Sequence, residues 1–410
     1  LLLQVFTSEA ILGFFLIVLA TLSLIYGYIG WRLITPIHLG APWTAILWIV
    51  IIFFAVLPFI PIIFRINGVE NTAVDVMSWL GYLSLGFFSL VFAILVVRDV
   101  VWFVIWGGQK VVHLARSLSG GAKETAGPID PERRRLLVNG INLGILGATA
   151  ALTGYGFYQA NRRPRLVEVP IVLDNLPESF DGFRIVQITD LHVGPTIKRG
   201  FVQGVVDRVG ELSPDMIALT GDLVDGSVSH LGNDVAPLAE LSAPHGYYFV
   251  TGNHEYYSGV LSWLKEVERL GLDILINEHR IIERGDDRLI LAGVTDYTGG
   301  RFIKEHNSDP RKSVEGAPDD AVKVLLAHQP KSIFAASESG FDLQISGHTH
   351  GGQYFPYHFM AALAQPYISG LHQHGGTQIY VSRGTGYWGP QLRIGARSEI
   401  TVHRLIPASW

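Results

Sequence analysis

Phe183-Arg184-Ile185-Val186-Gln187-Ile188-Thr189-Asp190-Leu191-His192-Val193-Gly194 is a short apolar run that breaks into a loop carrying a carboxylate and an imidazole one residue apart. Such a pair at the end of a buried strand can grip a metal ion from one side only. The complement recurs downstream, each time after an apolar run: Gly221-Asp222, Gly252-Asn253-His254-Glu255, Ala327-His328-Gln329-Pro330 and Gly347-His348-Thr349-His350-Gly351-Gly352. The runs at 183–188, 216–220, 247–250, 288–294, 322–327, 343–345 and 378–381 are predicted strands, with helices near 201–212, 235–241 and 257–270 between them. That alternation predicts α/β layers around a largely buried sheet. Ligands in such sheets collect at strand ends, so five clusters of oxygen and nitrogen donors are expected to converge on one place.

Working outward, the composition divides. Residues 1–159 carry 9 Lys/Arg and 7 Asp/Glu, and residues 160–410 carry the other 22 and 29. The second part is acidic and shows no basic stripe, so a nucleic-acid partner is not expected. Cysteine is absent, which removes disulfides, thiolate metal sites and cysteine nucleophiles. The chain starts with Leu, and its natural start is expected upstream.

Charge-free intervals of 22, 32, 22 and 26 residues occupy 10–31, 33–64, 76–97 and 136–161. Each reaches the roughly 20 apolar residues that a membrane-crossing helix needs. Arg98 and Asp99 are expected to mark the interfacial end of the third span. The loop after it holds Lys110, Arg116, Lys123, Arg133, Arg134 and Arg135, the densest basic segment near any span. By the positive-inside tendency that loop is cytoplasmic, and the carboxy-terminal domain lies on the extracytoplasmic face of the cell membrane. Arg162, Arg163 and Arg165 on the other side work against this orientation.

Two divalent ions about 3.5–4 Å apart can stabilise both the attacking and leaving oxygens of an in-line displacement. That spacing needs a shared ligand. Asp222, behind the small Gly221, is the candidate bridge. Metal-activated hydroxide would replace a protein nucleophile, in keeping with the lack of cysteine and of a Gly-x-Ser-x-Gly elbow. The donors are nitrogen and oxygen without sulfur, compatible with manganese, iron or zinc.

The five blocks, in order across 188–353, resemble those of the calcineurin-like metallophosphoesterase superfamily: Asp-x-His, Gly-Asp, Gly-Asn-His-Asp/Glu, His and Gly-His-x-His. The resemblance implies a sandwich of two mixed β-sheets flanked by helices. It further implies one metal on Asp190, His192, Asp222 and His350 and a second on Asp222, Asn253, His328 and His348. By the same resemblance, His254 contacts the phosphate and helps the leaving group depart, and Glu255 closes the third block. Gly221-Asp222-Leu223-Val224-Asp225-Gly226, Gly347 to Gln353 and the tail from Gly370-Leu371-His372 to Arg383-Gly384 look like a bacterial membrane-linked branch that includes UDP-2,3-diacylglucosamine hydrolases.

Asn253, His254, His372, His374 and Arg383 are the candidate substrate contacts, with loop histidines and a salt-bridged arginine as the plainer alternatives for the last three. Tyr354-Phe355-Pro356-Tyr357-His358-Phe359-Met360-Ala361-Ala362-Leu363-Ala364, directly after the last ligands, reads either as an internal helix or as a surface that meets lipid. The expected organisation is a multi-span α-helical membrane module over 1–159, a linker and domain entry over 160–180 and a metallophosphoesterase domain over 181–410. The expected activity is phosphoester or pyrophosphate hydrolysis on a phospholipid or a lipid-linked nucleotide. The alternatives are a nucleotide or phosphoprotein phosphatase and a non-catalytic membrane assembly module.

Overall fold

The structure, a computed structural model, describes residues 8–119 and 130–408; Lys123 of the basic loop lies outside them. Twelve strands form two six-stranded mixed sheets. The first runs β1 (Arg165–Leu173), β12 (Glu399–Pro407), β2 (Arg184–Ile188), β3 (Met216–Thr220), β4 (Tyr247–Val250) and β5 (Asp273–Ile274). The second runs β10 (Gly370–His374), β11 (Thr377–Val381), β9 (Leu343–Ser346), β8 (Val322–Leu326), β7 (Asp287–Gly293) and β6 (Glu278–Arg284).

The two-residue period of a strand sorts each run into two layers. Ile185, Met216, Ala218 and Val250 face Leu289, Leu291, Val324 and Ile345 across the sandwich. Val186, Ile188, Ile217, Leu219 and Phe249 instead meet the outer helices, together with the fully buried Trp263. The helix at Arg199–Gly210 buries Val202, Val205, Val206 and Val209, the i, i+3, i+4, i+7 spacing of one helical face. Each such valine contributes about 1.5–3 kcal/mol on burial.

Three local expectations change. The helix expected near 235–241 is an α-helix at Val228–Val235 followed by a tighter 3-10 turn from Ala236, because Pro237 lacks the N–H a continuing helix requires. The one expected at 257–270 is two helices, Asn253–Ser258 and Val260–Arg269, parted at Gly259 (φ 95°), a backbone conformation open to glycine. Within 160–180, the expected linker and domain entry, Arg165–Leu173 form the edge strand β1, paired with β12 along its whole length, and Ala160 at the end of the preceding helix is buried in the domain core.

The amino-terminal part contains helices α1 (Ser8–Ile34), α2 (Ala41–Val56), α3 (Ile60–Ile66), α4 (Thr72–Leu118) and α5 (Pro131–Asn161). Among the described residues they give four segments long and apolar enough to cross a membrane. α2 and α3 form one of these, interrupted at Pro58 and Pro61. There α4 passes closely enough that a Cβ on Gly81 would lie 2.8 Å from Pro58 Cα. α4 does not end at Asp99 but runs on to Leu118, about 70 Å at 1.5 Å per residue. Asp99 accepts hydrogen bonds from Tyr28 Oη at 2.6 Å, Arg32 Nε at 2.6 Å and Arg98 Nε at 2.9 Å, and Arg98 reaches Asn142. These polar groups are thus paired between helices, and the helix continues past them.

Helices and sandwich are joined by close contact. Asp75 near the start of α4 receives Arg65 (3.0 Å), Lys198 (2.8 Å) and His230 (3.1 Å). Arg65 donates to the Asp225 carbonyl at 3.2 Å, and Glu70 accepts from the Ser227 backbone and hydroxyl. Further along, Leu90 packs on Tyr354 and Leu392, and the Arg393 N–H donates to the Gly156 carbonyl of α5 at 3.0 Å.

Candidate metal centre

Every sequence-predicted metal ligand sits just past the carboxyl end of a parallel strand: Asp190 and His192 after β2, Asp222 after β3, Asn253 after β4, His328 after β8, and His348 and His350 after β9. Five of them, Asp190, His192, Asp222, His348 and His350, hold positive φ of 54°, 49°, 51°, 72° and 50°. That region costs non-glycine residues about 1–3 kcal/mol each and persists where the surroundings over-determine it. The determinants are visible. The Asp190 carboxylate accepts the His348 N–H at 2.9 Å, and Asp222 Oδ1 accepts the His254 N–H at 2.9 Å. No Cβ fits on Gly252, where it would lie 2.2 Å from Asp222 Oδ1.

The side chains gather into adjoining groups. Asp190, His192 and His350 form one, Asp222, His328 and His348 another, with donor atoms in each within 4.8 Å of one another. Asp222 Oδ2 stands 3.0 Å from His328 Nε2 and 3.7 Å from His192 Nε2. It therefore stands between the two groups, where a shared carboxylate would have to lie. His192 Nε2 faces His350 Nε2 at 3.0 Å, and His348 Nδ1 faces His328 Nε2 at 3.2 Å. Asn253, though buried, has no hydrogen-bond partner for its Oδ1. Buried polar atoms are nearly always paired. An orphaned amide oxygen beside paired imidazole nitrogens and two carboxylates fits two divalent cations, and the lack of sulfur fits those that accept nitrogen and oxygen.

Electrostatics point the same way. Burial disfavours charge on all these groups, yet the Asp222 carboxylate overrides it at His328, which is pushed up to about 10. Asp222 and Asp225 do the same at His254, pushed up to about 9. His348 is pushed down to about 3 by burial and by the charge of His328. Burial and Asp222 push Glu255 up to about 8. Bound cations favour ionised carboxylates and neutral imidazoles, replacing this uneven sharing of protons.

Asp225 was not among the sequence-predicted ligands. Its Oδ1 is 2.5 Å from His254 Nδ1 and 3.3 Å from His192 Nδ1, so it can fix the tautomer of both. The signal was its place three residues after Asp222. Arg393 was also missed: fully buried, it lies 3.0 Å from His350 Nδ1 and donates to four carbonyls around it, those of His350, Arg383, Gly386 and Ala396. Glu255 accepts the N–H groups of Gly252, Asp222 and Leu223 at 2.6, 3.1 and 2.8 Å, and so anchors the loop that carries the bridge.

The expected substrate contacts divide. Asn253 and His254 line a cleft of about 310 Å³ over the metal ligands. His372 and His374 do not. They lie on β10, where His372 stacks on Tyr367 and bonds the Ser369 carbonyl while His374 meets the Tyr367 hydroxyl. Their alternation along an edge hairpin turns them toward neighbouring side chains. Arg383 also lies outside the cleft lining and pairs with buried Glu399 at 3.1 Å. One cleft wall is Tyr257 and Trp388. The other is the helix Tyr357–Ala364, here α6, through Tyr357, Met360, Ala361 and Ala364.

A family model described as calcineurin-like phosphoesterase matches residues 183–352. A metallophosphoesterase of Helicobacter pylori is 41% identical over 282 residues, 68% of this chain and 73% of its own. A transmembrane protein with metallophosphoesterase domain of Danio rerio is 39% identical over 62% of this chain and 60% of its own. A metallophosphoesterase of Bacillus subtilis is 30% identical over 67% of this chain and 97% of its own.

Proposed function

Since the chain belongs to the calcineurin-like metallophosphoesterases and is a phosphoester hydrolase, we propose that it works at a membrane surface on a phosphorylated lipid or a lipid-linked nucleotide. The observation that carries this reading is the cleft wall. None of the residues of α6 is buried, and Phe355, Phe359, Met360 and Leu363 are 42, 56, 65 and 86% exposed. An internal helix of the sandwich would bury one face; this segment offers apolar surface on the way into the cleft and is continuous through Tyr354 with Leu90 of α4. Acyl chains laid on α6 would present their phosphate to the ligands beneath. The likeness to UDP-2,3-diacylglucosamine hydrolases is in keeping with this, and the transmembrane naming of the zebrafish relative supports anchoring by the four apolar segments. The basic loop after α4 favours placing the domain on the extracytoplasmic face.

Asp190, His192, Asp222 and His350 would hold one divalent ion, and Asp222, Asn253, His328 and His348 the other. When bound, such a pair supplies Lewis acidity to phosphoryl oxygens and makes water nucleophilic near neutral pH. The chain's own residues do the rest. His254, with Nδ1 committed to Asp225, turns Nε2 toward the cleft, where it can hold a phosphate oxygen and pass a proton to the leaving oxygen. Asp225 stabilises that proton on the ring. Trp388 and Tyr257 pack edge-on against the His254 ring at 5.6 and 5.2 Å, limiting its rotation and screening it from water.

A panel of phospholipids and nucleotide-linked lipids, run beside a small chromogenic phosphodiester, tests the reading. Replacing Phe355 and Phe359 with Ser lowers kcat/KM for the lipid by roughly ten- to a hundredfold, on an apolar loss of about 1.5–3 kcal/mol, and leaves the small diester within twofold. Equal loss on both substrates refutes it.

A further inference from the structure

At the junction where α5 leaves the helical bundle, Arg162, Arg163 and Arg165 meet Arg208 from the outer helix layer and Arg397 from the loop before β12. Together with Tyr158, Pro164 and Leu166 they line a cavity of about 630 Å³, within the range of small-molecule sites. It shares no lining residue with the cleft over the metal ligands. We propose that this cavity binds the phosphate of an anionic membrane lipid headgroup.

The charge balance favours an anion. Two carboxylates serve the five guanidiniums: buried Glu399 reaches Arg165 at 3.1 Å while also serving Arg383, and Glu211 holds Arg208 at 2.5 Å. Arg163 and Arg397 have no ion-pair partner among the described residues. In addition, the Nε–H groups of Arg165 and Arg397 are buried with no acceptor. Buried donors without acceptors are uncommon and call for an explanation. A phosphate supplies several acceptor oxygens, and the planar fork of arginine is the side chain best matched to it.

Position selects a lipid rather than a free phosphate. The cavity sits at the carboxyl end of a 31-residue helix that carries exposed apolar side chains such as Leu143 and Leu152, and on the membrane placement proposed above this is headgroup level. Tyr158 is 60% exposed at its rim with Arg162 over its ring at 5.5 Å, an amphipathic pair suited to a membrane–water interface. The site also gives these arginines a purpose unrelated to orientation across the membrane.

The test uses the full chain in an uncharged detergent and titrates dihexanoyl phosphatidic acid, dihexanoyl phosphatidylcholine and inorganic phosphate by calorimetry. The wild type binds the phosphatidic acid at least tenfold more tightly than the other two. The double variant Arg163→Ala/Arg397→Ala loses roughly tenfold or more of that affinity while hydrolysing a chromogenic phosphodiester at the wild-type rate. Because the catalytic cleft is the same in both proteins, the difference reports on this cavity alone. Equal binding by wild type and variant, or a zwitterionic lipid bound as tightly as the anionic one, overturns the site. Inorganic phosphate bound as tightly as the phosphatidic acid overturns the lipid assignment. Resistance of the chain to alkaline extraction from membranes is scored separately, so a failed membrane placement is told apart from a failed site.

Discussion

Replacing Asp225 with Asn separates proton donation from metal binding. Asp225 touches His254 at 2.5 Å and shares with Asp222 the work of lifting its pKa to about 9. Before cations are bound, such an imidazole is almost fully protonated at pH 7. If the substitution returns it toward its ordinary value of about 6.5, only about a quarter remains protonated, a fourfold loss. The larger part comes from orientation. An amide can hold the ring in the wrong tautomer, and general acid–base groups contribute about 10²–10⁴ in rate. We expect kcat to fall by about 10²–10³ for an alkyl or lipid leaving group, which must be protonated to depart. For p-nitrophenolate, which leaves readily as the anion, the fall is within about tenfold, the protonation loss being moot and phosphate contact partly kept. The sign of the pH effect follows: Asp225 raises the pKa of the His254 imidazole, so the alkaline limb of kcat for the poor leaving group moves to lower pH in the variant. Steady-state kinetics on both substrates, with metal content measured on the same samples, decides the matter. Equal losses on the two substrates refute proton donation. Equal losses with depleted metal instead make Asp225 a support for His192, 3.3 Å away.

Two further substitutions probe the loops around it. Asp222→Asn removes the oxygen placed between both ligand groups and should lower metal content to one ion or none per chain, with kcat reduced by at least about 10³, more than the 10–100-fold typical of outer partners; full metal content in an inactive protein would contradict the bridging role. Glu255→Gln leaves at least one of three buried N–H groups without an acceptor, a cost of about 2–4 kcal/mol, read as a lower midpoint of thermal inactivation with no dependence on leaving group.

The clustering of the candidate ligands was legible because each follows an apolar run, and strand ends are where parallel sheets open. Asp225 and Arg393 were harder, since neither forms part of a donor pair. Asp225 acts through His254, and Arg393 reaches His350 from a segment 43 residues later in the chain. β12 was missed because its inward column, Glu399, Thr401 and His403, is polar yet wholly buried. His403 bonds Gln187, which bonds Thr220, so the sandwich is partly filled by a hydrogen-bonded column. Its alternation with Ile400 and Val402 carries the two-residue strand signal, but the polar column reads as an exposed face when it is a buried one. The pairing of Arg98 and Asp99 was not legible in one dimension, because their partners Arg32, Tyr28 and Asn142 come from other helices.

Three residues, Arg162 to Pro164, separate α5 from β1, and both flanks are committed: Ala160 is locked in the core and Arg165 is already in register with Glu399. So short a span is no tether. Held at both flanks, the catalytic half has little slack to swing toward a distant molecule; anchored as proposed, it would receive what it cleaves at a set height and angle. Inserting slack at this seam would change which molecules can reach the chemistry while leaving every ligand in place.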